Sequence, residues 1–332
     1  MRPGPEGPGP GDAAVSAPAP PAGAGGGGFR HEALLYGGVA GFLAGTAPVI
    51  RAAVEAGDPV LVVVPGPLRQ ELGPAAAAVS FADVAGPGDN PARLLAVWQA
   101  FALAHAGAAR LWGIGETIYP GRSPAGLAEC HLHEALLNVA FGRATPLRML
   151  CPYDLQALPA DVIRQACRTH PFIARGEDRE PSGAFRPVDL ASPFARPLPG
   201  RPAGASRMPF GAAGFGCVRA LVAGHAGRAG LSRGPAADLV LAVHEIAVNS
   251  VRHGGGHGEL RIWADSQSLV CEVSGGGHIT APLAGRLPPV LDGHGGAGLW
   301  TASQVCDLLQ IHSTAAGTVI RVSQRLGPAS RS

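Results

Sequence analysis

The chain contains no lysine: its 26 cationic side chains are all arginine, against 24 carboxylates. That absence removes several chemistries at once. A P-loop needs a lysine on its phosphates, a protein kinase needs one on a strand, and Schiff-base catalysis needs an amine. Phosphate handling must therefore rest on arginine, magnesium or backbone amides. Charge of either sign is sparse, at 15% of residues, and nets to +2 without a basic block. A general nucleic-acid surface is not expected from such a balance. No unbroken run of about 18 apolar residues exists, so no membrane-spanning helix is expected. Arg2 is followed by no apolar segment of the secretory type. The six cysteines (Cys130, Cys151, Cys167, Cys217, Cys271, Cys306) form no CxxC pair. They read as reduced thiols of a cytoplasmic protein.

Glycine and proline are abundant, at 49 and 32 residues, but unevenly spread. Residues 1–28 hold 16 of them, and 174–207 hold six prolines. The first stretch reads as a disordered tail and the second as a semi-extended linker. Two domains are expected between and after them, over 29–173 and 208–325, with a short tail at 326–332.

Over 29–173 strand and helix patterns alternate. Pro59–Val64 is a continuous β-branched run, as in a strand buried on both faces. Helices are expected over 39–57, where Pro48 should kink or split the helix, and over 67–78 and 159–169. Two more open at Asn90-Pro91 and Ser123-Pro124, each an N-cap followed by proline at the first helical position. Short strands are expected at 79–83, 110–116 and 147–151. Strands separated by helices of 10–20 residues predict a mostly parallel, three-layer α/β domain. From 208 onward the pattern changes. A long helix over 234–253 precedes strands at 259–264 and 269–274, a glycine-rich stretch, a short helix over 299–306 and strands at 308–312 and 318–322. Helices and antiparallel strands segregate, which predicts an α+β domain.

The second half carries the more specific motif, HEIAVNSVRHG from His244 to Gly254. Glu245 and Asn249 lie four apart on one helical face, which His253 continues. Asn can give a neutral oxygen to Mg²⁺, and Glu can polarise a nucleophile beside metal-bound phosphates. Two glycine clusters follow: Gly275–Gly277 after a strand, and Gly293–Gly298 before a helix whose free amides suit phosphate. Taken alone, an E-x-x-x-N pair is most often a solvated helix face. In this order the elements resemble the GHKL (Bergerat) ATPase fold, and within it the anti-sigma-factor serine/threonine kinases, over roughly 208–325. The resemblance implies Glu245 as catalytic base and Asn249 as the Mg²⁺ ligand. It places Gly277, Gly296, Gly298 and Leu299 around ATP, with 278–295 as lid. Gly275 stands where that family has an adenine-binding Asp, a loss of about 1.5–3 kcal/mol in a charge-assisted hydrogen bond. A carboxylate restored there is expected to fit at almost no structural cost, provided residue 275 needs no positive φ. A histidine-kinase reading of His244-Glu245 needs a two-helix hairpin that the proline-rich linker does not provide.

In the first half four polar clusters stand out: His31-Glu32, Gly113–Arg122, Glu129–Glu134 and Pro152–Asp154. Glu116, Tyr119, Arg122 and Asp154 follow strands, where parallel sheets bind ligands. Cys130, His131 and His133 fit no common zinc spacing, and Cys130 and His131 point about 100° apart on a helix. HEALLY, GIGETIYPGRSP, ECHLHEALLN and LCPYD together resemble the MEDS (methanogen/methylotroph sensory) domain, over about 29–172. That resemblance implies a sensory module on a RecA-like scaffold, with His31, Glu116, Tyr119, Arg122, His133 and Asp154 as ligand candidates.

The combined expectation is a cytoplasmic signalling regulator whose sensory domain controls an ATP- and Mg²⁺-dependent kinase of a partner protein. The alternative is a degenerate ATPase-like module that sequesters a sigma factor or its antagonist. A small-molecule signal and a homodimer fit either; neither membrane nor direct nucleic-acid binding is expected.

Overall fold

A computed structural model describes residues 28–82, 90–176, 178–289 and 296–327. Nearly all of the expected N-terminal tail, residues 328–332 and part of the expected lid lie outside them.

The N-terminal domain alternates strands β1 (Arg30–Tyr36), β2 (Val60–Val63), β3 (Ser80–Phe81), β4 (Leu111–Gly115), β5 (Leu147–Asp154), β6 (Phe172–Arg175) and β7 (Asp178–Pro181) with helices. The helices are α1 (Gly38–Glu55), α2 (Gly66–Glu71), α3 (Leu94–Ala104), α4 (Pro124–Ala140) and α5 (Ala160–Thr169). The sheet order is β3-β2-β4-β5-β1-β6-β7. Every pairing is parallel except the edge pair β6–β7.

Strand alternation sorts the side chains onto two faces. Leu34, Val60, Val62, Ile114 and Leu150 pack against Phe42 and Ile50 of α1. Ala33, Leu35, Leu61, Met149 and Cys151 pack under Trp98 of α3, Leu137 of α4 and Val162 of α5. This is the three-layer arrangement that the alternating pattern predicts.

Several local expectations need correction. Pro48 neither splits nor ends α1, because buried Phe42 and Ile50 hold the helix to the sheet on both sides of it. The expected helix over 67–78 ends at Glu71, and a 3₁₀ stretch, Gly73–Ala78, opens on a glycine at φ +51°. β1 has no counterpart among the expected elements, yet it sits between β5 and β6 near the centre of the sheet.

The linker expected over 174–207 is not free. Its start completes β6 and forms β7. Its Phe194 is buried in the second core, and Arg201 pairs with Glu272. Proline denies it regular structure, but one aromatic ring and one guanidinium still tie it down.

The C-terminal domain contains β8 (Ser206–Gly211), α6 (Phe215–Arg228), α7 (Arg233–His253), β9 (His257–Ala264), β10 (Ser268–Gly275), α8 (Ala297–Val305), β11 (Leu308–Thr314) and β12 (Gly317–Arg325). Its sheet is antiparallel throughout, in the order β11-β12-β10-β9-β8. Leu239, Val243, Ile246 and Ala247 of α7 meet Leu260, Cys271, Val273 and Val322 from the sheet in one core.

The two domains touch at specific groups. Asn90 Nδ2 donates to Ser303 O (3.0 Å) and Arg93 Nη2 to Cys306 O (2.7 Å), capping the end of α8. Asn90 Oδ1 meanwhile accepts from Ala92 N, as an N-cap does. Arg286 Nη2 donates to Glu129 Oε2 of α4 (2.7 Å), and both side chains are almost fully buried.

Candidate nucleotide site and a buried polar centre

α7 turns its apolar stripe to the sheet, which leaves Glu245 and Asn249 on the side facing α8. The start of α8 comes so close that a Cβ on Gly298 would stand 2.8 Å from Glu245 Oε2 and 2.9 Å from Asn249 Nδ2. Gly296, the residue before α8, has φ +92°, a conformation glycine adopts without strain. A helix of nine residues thus presents its unpaired N-terminal amides beside a carboxylate and a carboxamide.

Beside this contact lies a cavity of about 290 Å³. Of the residues expected around a nucleotide, Asn249, His253, Gly275, Gly277, Gly296 and Leu299 line it. Glu245 and Gly298 stand at its edge rather than in its wall. Ile246, Val273, Ile279 and Ile320 form an apolar floor suited to a flat ring. Thr318, which the sequence reading did not single out, also lines it and donates from Oγ1 to Gly277 O (2.6 Å), fixing the glycine turn.

Ser250 also lines the cavity and was not singled out as a site residue. Its Oγ is buried and has no hydrogen-bond partner. It occupies the space that a Cβ on Gly275 would need. A carboxylate at 275 therefore fits only if the Ser250 hydroxyl moves aside. Gly275 does not have positive φ, so the obstacle is the Ser250 hydroxyl and not the backbone. Glycine at 275 and serine at 250 are complementary in volume. The chemistry of the site fits ATP and Mg²⁺: an amide oxygen for the metal, helix amides for phosphate, and an apolar slot with one unpartnered hydroxyl for the base.

In the N-terminal domain the six ligand candidates separate. His31 and His133 are fully buried, and burial lowers each imidazole to about 4. Both ring nitrogens of His133 lack a partner. Glu116 is also buried; burial raises its carboxyl to about 7, against the hydrogen bond it accepts from Tyr36 Oη (2.7 Å). Burial and the Glu116 charge push the Tyr36 phenol up in turn.

Tyr119 and Arg122 stack on each other, the guanidinium 4.5 Å from the ring centroid, and Arg122 Nε donates to Thr117 O. Asp154 Oδ1 accepts from the backbone of Gly38 and Gln156, which is a turn-forming role. The structure does not bring these three together with His31 and His133.

His31 instead meets groups that sequence reasoning missed: Glu134 of α4, Cys151 of β5 and His170, just before β6. His31 Nε2 lies 3.1 Å from Glu134 Oε2 and 3.3 Å from Cys151 Sγ. His170 Nε2 lies 3.3 Å from the same Glu134 oxygen. This centre sits on the sheet face under α4 and α5, near the start of β1, and not at the carboxyl ends of the strands. HEALLY, ECHLHEALLN and LCPYD hold three of the four residues, but spacing alone could not join them.

Comparison with known families agrees with this division. None of the curated proteins matches the chain. Residues 30–171 match the family described as MEDS, the MEthanogen/methylotroph, DcmR Sensory domain. Residues 213–324 match the histidine kinase-like ATPase domain. Among the described residues no helix is long and apolar enough to cross a membrane. The chain thus carries a match to a MEDS sensory domain followed by a match to a histidine kinase-like ATPase domain, a combination that suggests a signalling regulator.

Proposed function

We propose that this protein is a cytoplasmic signalling regulator whose MEDS domain controls an ATP-binding serine/threonine-kinase-type domain of the anti-sigma class. Asn249 would hold Mg²⁺, the amides at the start of α8 would hold phosphate, and Glu245 would accept the proton of a partner's hydroxyl. ATP supplies the transferable phosphoryl group. The observation that carries this reading is the 290 Å³ cavity lined by Asn249, His253, Gly275 and Gly296, with Glu245 at its edge. The partner class is a regulatory protein such as an anti-sigma antagonist or a sigma factor. The fold assignments that go with it are a RecA-like N-terminal scaffold and a Bergerat C-terminal sandwich.

Titration calorimetry with Mg-ATP on the full chain tests it. Glu245→Ala should bind Mg-ATP like the parent but lose all turnover, whereas Asn249→Ala should bind it at least about 10-fold more weakly. Parent-like binding and turnover in both variants refute the kinase assignment. A second reading, a non-catalytic module that sequesters its partner, is favoured by Gly275, which removes the adenine-side carboxylate. It predicts no Mg-ATP heat in the parent together with retained partner binding.

A further inference from the structure

We propose that His31, Glu134, Cys151 and His170 form a binding site for a divalent transition-metal cation, with a donor set that selects zinc(II). One ligand atom from each residue lies within 4.8 Å of all the others, and all four residues are buried. Tetrahedral coordination at bond lengths of 2.0–2.3 Å needs ligand–ligand distances of about 3.3–3.7 Å; the three contacts of the two Nε2 atoms stand at 3.1–3.3 Å and the other pairs within 4.8 Å, so small side-chain shifts would close the shell.

The hydrogen bonds behind the two histidines decide the argument. Asn138 Nδ2 donates to the carbonyl oxygens of Glu134, Ala135 and Thr169, which leaves Oδ1 as the atom facing His31. His31 Nδ1, 3.1 Å away, must then carry a proton. His170 Nδ1 lies 2.8 Å from Ala166 O, an acceptor only, and must carry one too. In the neutral rings both Nε2 atoms are therefore bare lone pairs, and both point at one carboxylate oxygen. His170 Nε2 finds no hydrogen-bond partner. Thr117 Oγ1 donates to Glu134 Oε1 (2.5 Å) and so orients Oε2 toward the same point.

With both rings neutral, a thiol, two imidazole lone pairs and a carboxylate oxygen hold one proton among them, the one on sulfur. A cation at their centre resolves this. Zinc(II), one thiolate, one carboxylate and two neutral imidazoles sum to zero charge, which a buried site tolerates. Binding releases the thiol proton to solvent. A donor set of two nitrogens, one sulfur and one carboxylate oxygen suits zinc and disfavours magnesium or calcium. Nδ1 donation to a carbonyl or side-chain oxygen is the usual support of a metal-bearing histidine. Four protein ligands in a closed site fit a structural or sensing role rather than catalysis.

The test uses the full chain, stripped with chelator and titrated with Zn²⁺ and separately with Co²⁺, with elemental analysis of the bound metal. One equivalent per chain is expected, and the cobalt form should show a thiolate-to-metal charge-transfer band. Cys151→Ser should abolish that band, and His170→Gln should weaken Zn²⁺ binding about 100-fold or more. Asn138→Leu, which frees His31 Nδ1, should weaken it about 10–100-fold. Cys130→Ser and Cys167→Ser should behave like the parent.

Less than a tenth of an equivalent of metal on the parent overturns the proposal. So does a cobalt band that survives Cys151→Ser. The stoichiometry and the band on the parent decide even where a variant fails to fold. No nucleotide enters the assay, so its failure would leave the ATPase reading untouched.

Discussion

Gly275→Asp offers a sharp test of how the nucleotide cavity is built. The aspartate Cβ would enter space filled by Ser250 Oγ, with Ser250 Cβ 3.4 Å away and already close. The same hydroxyl fills the space beside Gly258, where an added Cβ would stand 2.7 Å from it, so both glycines leave room for Ser250. Overpacking of this kind costs about 1–3 kcal/mol. Ser250→Ala removes the obstructing atom and also a buried hydroxyl that has no partner, whose desolvation costs about 1–3 kcal/mol. The single Ser250→Ala protein should therefore be as stable as the parent or more so. The double variant should recover most of what Gly275→Asp loses, giving a coupling energy of about 1–3 kcal/mol. Urea unfolding of the four proteins measures it. Calorimetry on the same four should show that the double variant binds Mg-ATP about 10-fold or more tightly than Ser250→Ala, with selectivity over GTP. Guanine offers a carbonyl where adenine offers an amine. Equal stability of Gly275→Asp and the parent, with no coupling to Ser250, would refute the volume argument.

Two further perturbations probe the N-terminal domain and its contact with the ATPase domain. The Glu116 carboxyl titrates near 7 when folded and near 4.5 when unfolded, so the folded state holds the extra proton between those values. The contribution of Glu116 to stability should therefore fall as pH rises from about 4.5 to about 7, by up to about 3 kcal/mol, and then level off, while His31 and His133, lowered to about 4, contribute in the opposite sense between about 4 and 6.5. Glu116→Gln keeps a neutral partner for Tyr36 Oη and should remove that contribution, so that the stability difference between parent and variant in unfolding curves changes between pH 5 and pH 8 by that amount. Glu129→Ala strands a buried guanidinium and should cost about 3–5 kcal/mol, with faster hydrogen exchange over 278–289. Arg286→Met leaves a carboxyl that burial already pushes toward the neutral acid, and should cost less.

What the sequence made legible follows from how local each signal is. The β-branched run at Val60–Val63 and the N-caps at Asn90 and Ser123 are settled within a few residues, and so they could be read. α7 was readable because 21 residues of apolar spacing are hard to mistake. β1 was not, because RHEALLY alternates only weakly and becomes a central strand through β5 and β6, which are more than 100 residues away. The candidate site divides in the same way. Glu245 and Asn249 are four apart on one helix and were visible as a pair. Ser250 was adjacent but unremarkable until Gly275 was brought against it by β10. The buried polar centre draws on β1, α4, β5 and the end of α5, so only the folded sheet assembles it.

α4 connects the two centres. Glu134 points into the sheet-facing cluster. Glu129, five residues earlier, lies about 140° around the helix, where it meets Arg286 of the ATPase domain. Leu132 packs into the second core, while Leu283 and Leu287 pack into the first, so α4 and the segment carrying Arg286 share one apolar seam. Arg286 uses only Nη2 in this contact; its Nε and Nη1 have no hydrogen-bond partner among the described residues. A buried guanidinium satisfied at one of three nitrogens is held less firmly than a bidentate pair, and undocking would let water solvate the other two. The clamp therefore joins two elements whose separation has a compensating gain, which a switch between two states requires. On the other side, Asn90 and Arg93 grip the end of α8, whose opposite end lies against Glu245 and Asn249. The sensory domain thus touches both the segment flanking the nucleotide cavity and the helix that supplies its amides.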